Sequence, residues 1–148
     1  MSGHDRPLLQ ALQNASLYDH PVDAFRLIET HISWVLLTGR YAYKIKKPVD
    51  LGFVDFSTLD KRRFYCEEEL RLNRRLAPSL YLEVVRITGS PQNPALGGEG
   101  EVLEYAVKMA QFDTSLQFDR LLTGDRLSPD LLACFAHHLA RFHAAAGP

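Results

Sequence analysis

Only two of the 148 residues are cysteine, and Cys66 and Cys134 stand far apart. Neither belongs to a metal or redox motif, which points to a reducing, cytoplasmic setting. No stretch approaches the roughly 18 apolar residues of a membrane span. The start, Met1-Ser2-Gly3-His4-Asp5, has no basic segment followed by an apolar one and reads as no signal peptide. An excess of one charge is missing too: 17 Lys+Arg stand against 18 Asp+Glu, net −1. Such a chain is not drawn as a whole to nucleic acid or to acidic membranes. Internal repeats and low-complexity tracts are absent. What is present is the composition of one ordinary globular domain, 46% apolar and 24% charged. A chain this long buries about 70% of its unfolded surface, enough for a core without disulfides.

Along the chain, Leu8, Leu9, Leu12 and Leu17 are spaced for a short amphipathic helix over 8–17, broken by Tyr18-Asp19-His20-Pro21. Strands are expected at Phe25 to Ile28, Ile32 to Thr38 and Tyr41 to Lys47, the last two forming a hairpin about Gly39. Val49 to Phe56 reads as a loop. Ser57 is the expected N-cap of a long helix that runs to Leu76 and is stopped by Ala77-Pro78. Leu82 to Thr88 and Val102 to Met109 are strands that pair, with Gly89 to Gly100 a loop between them. Thr114 to Leu122 is a short helix. Ser128-Pro129-Asp130 opens the last one, with proline where its missing N–H costs least. Strands grouped about one long helix predict an α+β fold, an antiparallel sheet with a helix packed on it.

Two segments carry chemistry. In Tyr41-Ala42-Tyr43-Lys44-Ile45-Lys46-Lys47, alternation puts Ala42, Lys44 and Lys46 on one strand face. A small residue two places before a lysine leaves room for a flat ring beside a cation: Ala42 under a base, Lys44 on phosphates. The plain alternative is a solvated edge strand with its lysines outward. In the long helix, Glu69 is spaced with Tyr65, Leu72 and Leu76 on the expected inward stripe, where an acid needs a cationic partner. Lys44 is the candidate. Glu67 and Glu68 are expected to make helix-surface pairs with Arg71.

A lysine after a small residue on a strand, then a helix acid, then two strands, is the order of a protein-kinase-like N-terminal lobe, in which V-A-I-K supplies the lysine and the next helix its glutamate. The runs Glu29-Thr30-His31-Ile32-Ser33-Trp34-Val35 and Tyr43-Lys44-Ile45-Lys46-Lys47-Pro48-Val49 go further. With Phe56-Ser57-Thr58-Leu59, Leu72-Asn73-Arg74-Arg75-Leu76-Ala77-Pro78 and Tyr105-Ala106-Val107-Lys108-Met109, they resemble the aminoglycoside phosphotransferase-like family. The resemblance is closest to its bacterial branch, often fused to a P-loop ATP-binding domain, and covers roughly residues 20–145.

That resemblance implies an N-terminal helical segment at 1–19, a kinase-like lobe at 20–108, a hinge at 109–113 and the first two helices of a second lobe at 114–148. It implies a phosphotransferase that moves the γ-phosphoryl group of ATP to a hydroxyl of a small-molecule acceptor, with Mg²⁺ as the metal. Lys44 would contact the α/β-phosphates and Glu69 would hold Lys44. Val107 to Gln111 would be the stretch whose backbone meets the adenine edge, with Met109 against the ring. No G-x-G-x-x-G precedes Lys44, so backbone N–H groups and the hydroxyls of Thr30 and Ser33 would have to cradle the phosphates. The family's H-G-D-x-H-x-x-x-N run and its later metal-binding Asp are absent before Pro148. The chain is therefore expected to hold the ATP-binding half, with base and metal ligands beyond it, and to be inactive alone.

Other features compete. Between Arg40 and Arg75 lie 10 Lys+Arg against 6 acids, net +4, and Arg62, Arg63, Arg71, Arg74 and Arg75 would form either a solvated face or a phosphate-contacting one. His137, His138 and His143 lack the i,i+4 spacing of a helical metal pair. Cys66 and Cys134 read as core thiols. The stripe Leu131, Leu132, Phe135, Leu139 and Phe142 predicts self-association through the final helices. The functional alternative to the enzyme is a non-catalytic regulatory or protein-interaction module of the same shape.

Overall fold

Branched and aromatic residues fill Ser33–Leu37 and Tyr41–Lys46, which form strands β2 and β3. They pair antiparallel, with Ser33 opposite Lys46 and Leu37 opposite Ala42. Gly39 turns the chain between them at φ +88°, a left-handed conformation that glycine adopts freely. The computed structural model describes residues 5–146. Around this hairpin, β1 (Arg26–Glu29), β4 (Tyr81–Ser90), β5 (Asn93–Leu96) and β6 (Val102–Ala110) complete one antiparallel sheet in the order β1-β2-β3-β6-β4-β5. β3 is flanked by β2 and β6 and is not an edge strand, so its lysines do not guard an edge.

Helix α1 (Asp5–Ala11) and a 3-10 turn, Ala15–Leu17, replace the continuous helix expected over 8–17. Asn14 interrupts it, because its side chain accepts from the Ser16 N–H and starts a separate turn. Leu8, Leu9 and Leu12 pack with Trp34, Leu36, Tyr43, Ile45, Ile87 and Ala106 in the main core on one side of the sheet. Helix α2 (Leu59–Asn73) packs on β4 and β6, and its Glu69 meets the lysine face of β3.

Three expectations about α2 change. The cap is Thr58, whose hydroxyl accepts from the Lys61 N–H, while Ser57 is held by Asp55. The helix closes at Asn73, and Arg74 to Leu76 continue only as turns. Its buried residues are Arg62 and Cys66, whereas Tyr65, Leu72 and Leu76 are exposed. Glu69 still faces inward because it follows Arg62 by seven residues, two helical turns.

β5 lies inside the stretch expected to be a loop. Its Pro94 sits on the outermost strand, where a missing N–H deprives no neighbour. The chain divides into two compact units, one ending at Gln111 and the other beginning at Phe112. In the second, a 3-10 turn (Thr114–Leu116) and helix α3 (Phe118–Thr123) replace the single helix expected over 114–122. Helix α4 (Pro129–Ala145) starts where expected, with the Ser128 hydroxyl accepting from the Leu131 N–H and Pro129 in the first turn. Cys134 is exposed on α4 and is not a core thiol. No helix among the described residues is long and apolar enough to cross a membrane.

Candidate functional site

Ala42, Lys44 and Lys46 share one face of β3 by strand alternation. Glu69 reaches that face from α2 and takes two cations at once. Lys44 Nζ donates to its Oε1 at 2.8 Å, and Lys46 Nζ donates to its Oε2 at 2.7 Å. The structure thus joins Lys44 and Glu69 and adds Lys46, which had no role in the sequence reading. The signal for it was there: Lys46 has the same strand parity as Lys44.

The two lysines differ in access. The Lys44 side chain is 28% exposed and the Lys46 side chain 6%. Lys46 also sits over the Phe56 ring, 4.9 Å from its centroid, a cation–π contact that suits a desolvated ammonium. Burial by itself would raise the Glu69 carboxyl, but the hydrogen bonds and charges of Lys44 and Lys46 outweigh it and hold the group below its ordinary value. Tyr81, nearby, is raised by burial and then by the Glu69 charge. Cys66, one turn before Glu69, is pushed up to about 12 by burial. One carboxylate between two ammonium groups leaves the cluster with one surplus positive charge.

Register places an apolar surface beside this charge. Antiparallel partners share a face, so Val35 and Val107 flank Lys44 while Leu37 and Met109 flank Ala42. Val107 is fully buried; Val35, Leu37 and Met109 are half-buried around the small Ala42. β6 is paired on both sides up to its end, which engages the backbone of Val107 to Ala110 in ladders. The Gln111 N–H donates to the Arg40 carbonyl at 3.0 Å, and its side-chain oxygen accepts from the Gly39 N–H at 3.0 Å. Gln111 thereby fastens the β2–β3 turn.

Thr30 and Ser33 lie at the β1–β2 connection, and their hydroxyls are not directed alike. Thr30 Oγ1 accepts from the Ser33 N–H at 3.0 Å and donates to the Ser33 carbonyl at 3.1 Å, closing the turn. The Ser33 hydroxyl is buried with no partner among the described residues. Among the described residues no three His, Cys, Asp or Glu side chains form a group that could hold a metal ion.

Most of the arginines considered for a phosphate-contacting face are engaged within the molecule. Arg62 is buried against Glu104, Arg63 pairs with Glu67, Arg71 with Glu68, and Arg74 donates to the Tyr81 and Leu82 carbonyls. On the opposite sheet face an open cavity of about 310 Å³ is lined by Tyr43, Glu83 and Lys108 among others. Its lysine is bound to Glu83 at 3.1 Å.

No family model matches the chain, and no solved structure matches it. Over 130 residues it is 35% identical to proteins described as uncharacterized from two strains of Mycobacterium tuberculosis and from Mycobacterium bovis. Those alignments take in 86% of this chain and 24% of each relative, so the chain spans about a quarter of the length of the curated relatives it matches.

Proposed function

We propose that this chain is the ATP-binding portion of a phosphotransferase of the aminoglycoside phosphotransferase-like kind, which passes the γ-phosphoryl group of ATP to a hydroxyl of a small-molecule acceptor. The observation that carries this reading is the Lys44–Glu69 pair at 2.8 Å, between the third strand and the helix that follows it. Kinase-type enzymes position a phosphate-contacting lysine in this way. Phosphoryl transfer asks a protein chiefly for positioning and for neutralisation of phosphate charge. Lys44 serves both ends: its side chain is the more exposed of the two lysines, and a carboxylate fixes its direction.

In this reading the adenine ring lies against Ala42, Met109 and the half-buried Val35 and Leu37, where no long side chain rises from β3 at Ala42. The phosphates then extend toward Lys44. The carboxylate that takes the acceptor's proton, and the acids that hold Mg²⁺, are assigned to no residue of this chain.

Calorimetric titration of the chain with MgATP tests the reading. Measurable binding is expected, and Lys44→Ala is expected to weaken it about tenfold or more, the loss of one charge-assisted bond to phosphate. Unchanged affinity in Lys44→Ala would reject the role of Lys44. A folded wild-type chain that binds no nucleotide would favour the regulatory or interaction module instead.

A further inference from the structure

Glu69 gives one oxygen to each of two lysines, and the two lysines differ in exposure. Lys46 is 6% exposed, lies over the Phe56 ring and stands opposite the fully buried Ser33. Lys44 is 28% exposed. A Lys44–Glu69 pair alone would be neutral and would offer a phosphate no net charge. If Lys44 then turned to a phosphate, Glu69 would be left half-buried beside a polyanion, with its partner shared or lost. Removing one member of a buried pair is what makes such groups costly.

We infer that Lys46 is a positioning residue for anion binding at this site: it anchors Glu69 while Lys44 engages a phosphate, and it supplies the surplus positive charge that draws the anion in. The inference rests on the proposal that ATP phosphates bind at Lys44. Lys46 itself touches no ligand. The division of labour follows from burial: the enclosed ammonium stays on the carboxylate, and the accessible one exchanges between carboxylate and phosphate. A ligand with two or more phosphates gains most, because it meets a cluster that is already net positive.

Two measurements on the full chain test this. In the first, the Glu69 carboxyl is titrated by carbon-13 NMR in wild type, Lys44→Met and Lys46→Met. The larger upward shift is expected in Lys46→Met; a larger shift in Lys44→Met would overturn the anchoring role. In the second, MgATP and inorganic triphosphate are titrated against Lys46→Met, the milder Lys46→Gln and the charge-preserving Lys46→Arg. Both neutral variants are expected to bind each anion about tenfold more weakly, and Lys46→Arg to recover most of the affinity. Lys46→Arg binding as poorly as Lys46→Met would overturn the inference. Failure of the wild-type chain to bind either anion would overturn the nucleotide reading itself. Wild-type affinity in Lys46→Met and Lys46→Gln would overturn only the role given to Lys46.

Discussion

Arg62 on α2 grips Glu104 on β6 at two points, Nε to Oε2 at 3.0 Å and Nη2 to Oε1 at 2.6 Å. The same guanidinium donates through Nη1 to the Phe56 carbonyl at 2.9 Å. Planar two-point geometry of this kind is what guanidinium offers and ammonium does not. The contact fixes α2 against the sheet and holds the end of the loop that enters it. It lies two helical turns before Glu69, so it also sets where the acid meets Lys44 and Lys46.

Arg62→Met is therefore expected to destabilise the chain by about 3 kcal/mol, the cost of taking the guanidinium away from a buried carboxylate. Arg62→Met combined with Glu104→Leu should recover part of that loss, since two apolar groups need no counter-charge. Urea unfolding of the two variants measures it. A single variant as stable as wild type would mean that the pair does not seat α2.

Acid should act on Glu69 in a definite direction. Its folded-state value lies below the ordinary 4.5 of an exposed carboxyl, so the unfolded chain takes up the proton first. The stabilisation is complete above that ordinary value and disappears as pH falls through the lower, folded one. In Glu69→Gln this part of the pH dependence is missing. Unfolding free energies of wild type and Glu69→Gln, measured from pH 7 downward, should converge below about 4.5. Curves that stay parallel across that range would contradict the ion cluster.

The Lys44–Glu69 contact is legible in the sequence because two independent periods point to it, strand parity for Ala42 and Lys44 and helix spacing for Glu69. The stripe used for Glu69 was nevertheless the wrong one. Tyr65 and Leu72 look like core residues yet are exposed, and Arg62 looks like a surface residue yet is buried. Hydropathy cannot separate Arg62 from its neighbour Arg63, which pairs with Glu67 at the surface. Only the position of Glu104 across β6 distinguishes them, and that is a tertiary fact. β5 was hidden by Gly89, Pro91 and Pro94, residues that mark loops except on an outer strand. Lys46 shares strand parity with Lys44, and only the tertiary distance to Glu69 assigns it the same partner.

The start of α2 gives a separate test. Ser57 and Thr58 are adjacent hydroxyls, and sequence spacing favoured the first. In the structure Ser57 Oγ donates to Asp55 at 2.6 Å, while Thr58 Oγ1 accepts from the Lys61 N–H at 3.3 Å. Thr58→Ala is expected to cost about 1 kcal/mol, the usual loss of a helix N-cap. Ser57→Ala should cost less, because it removes an exposed bond within the preceding loop. Denaturant midpoints for the two variants decide which hydroxyl starts the helix; a larger loss for Ser57→Ala would reverse the assignment.

The two thiols should differ sharply in reactivity. Reaction with a disulfide reagent requires access and thiolate. Cys66 has neither: it is fully enclosed between α2 and β6, its Sγ lies 3.8 Å from the Tyr105 carbonyl, and burial pushes it up to about 12. Cys134 is exposed on α4. At pH 8 a chromogenic disulfide is expected to label one thiol of the native chain quickly, and mass mapping should place it at Cys134. Cys66 should react only at the rate at which α2 leaves the sheet, and both should react at once in guanidinium. Arg62→Met, which loosens the same contact, should speed labelling of Cys66 and leave Cys134 unchanged. Rapid labelling of Cys66 in the native wild type would show that α2 is not held closed over β6, and the arrangement of Lys44, Lys46 and Glu69 would fall with it.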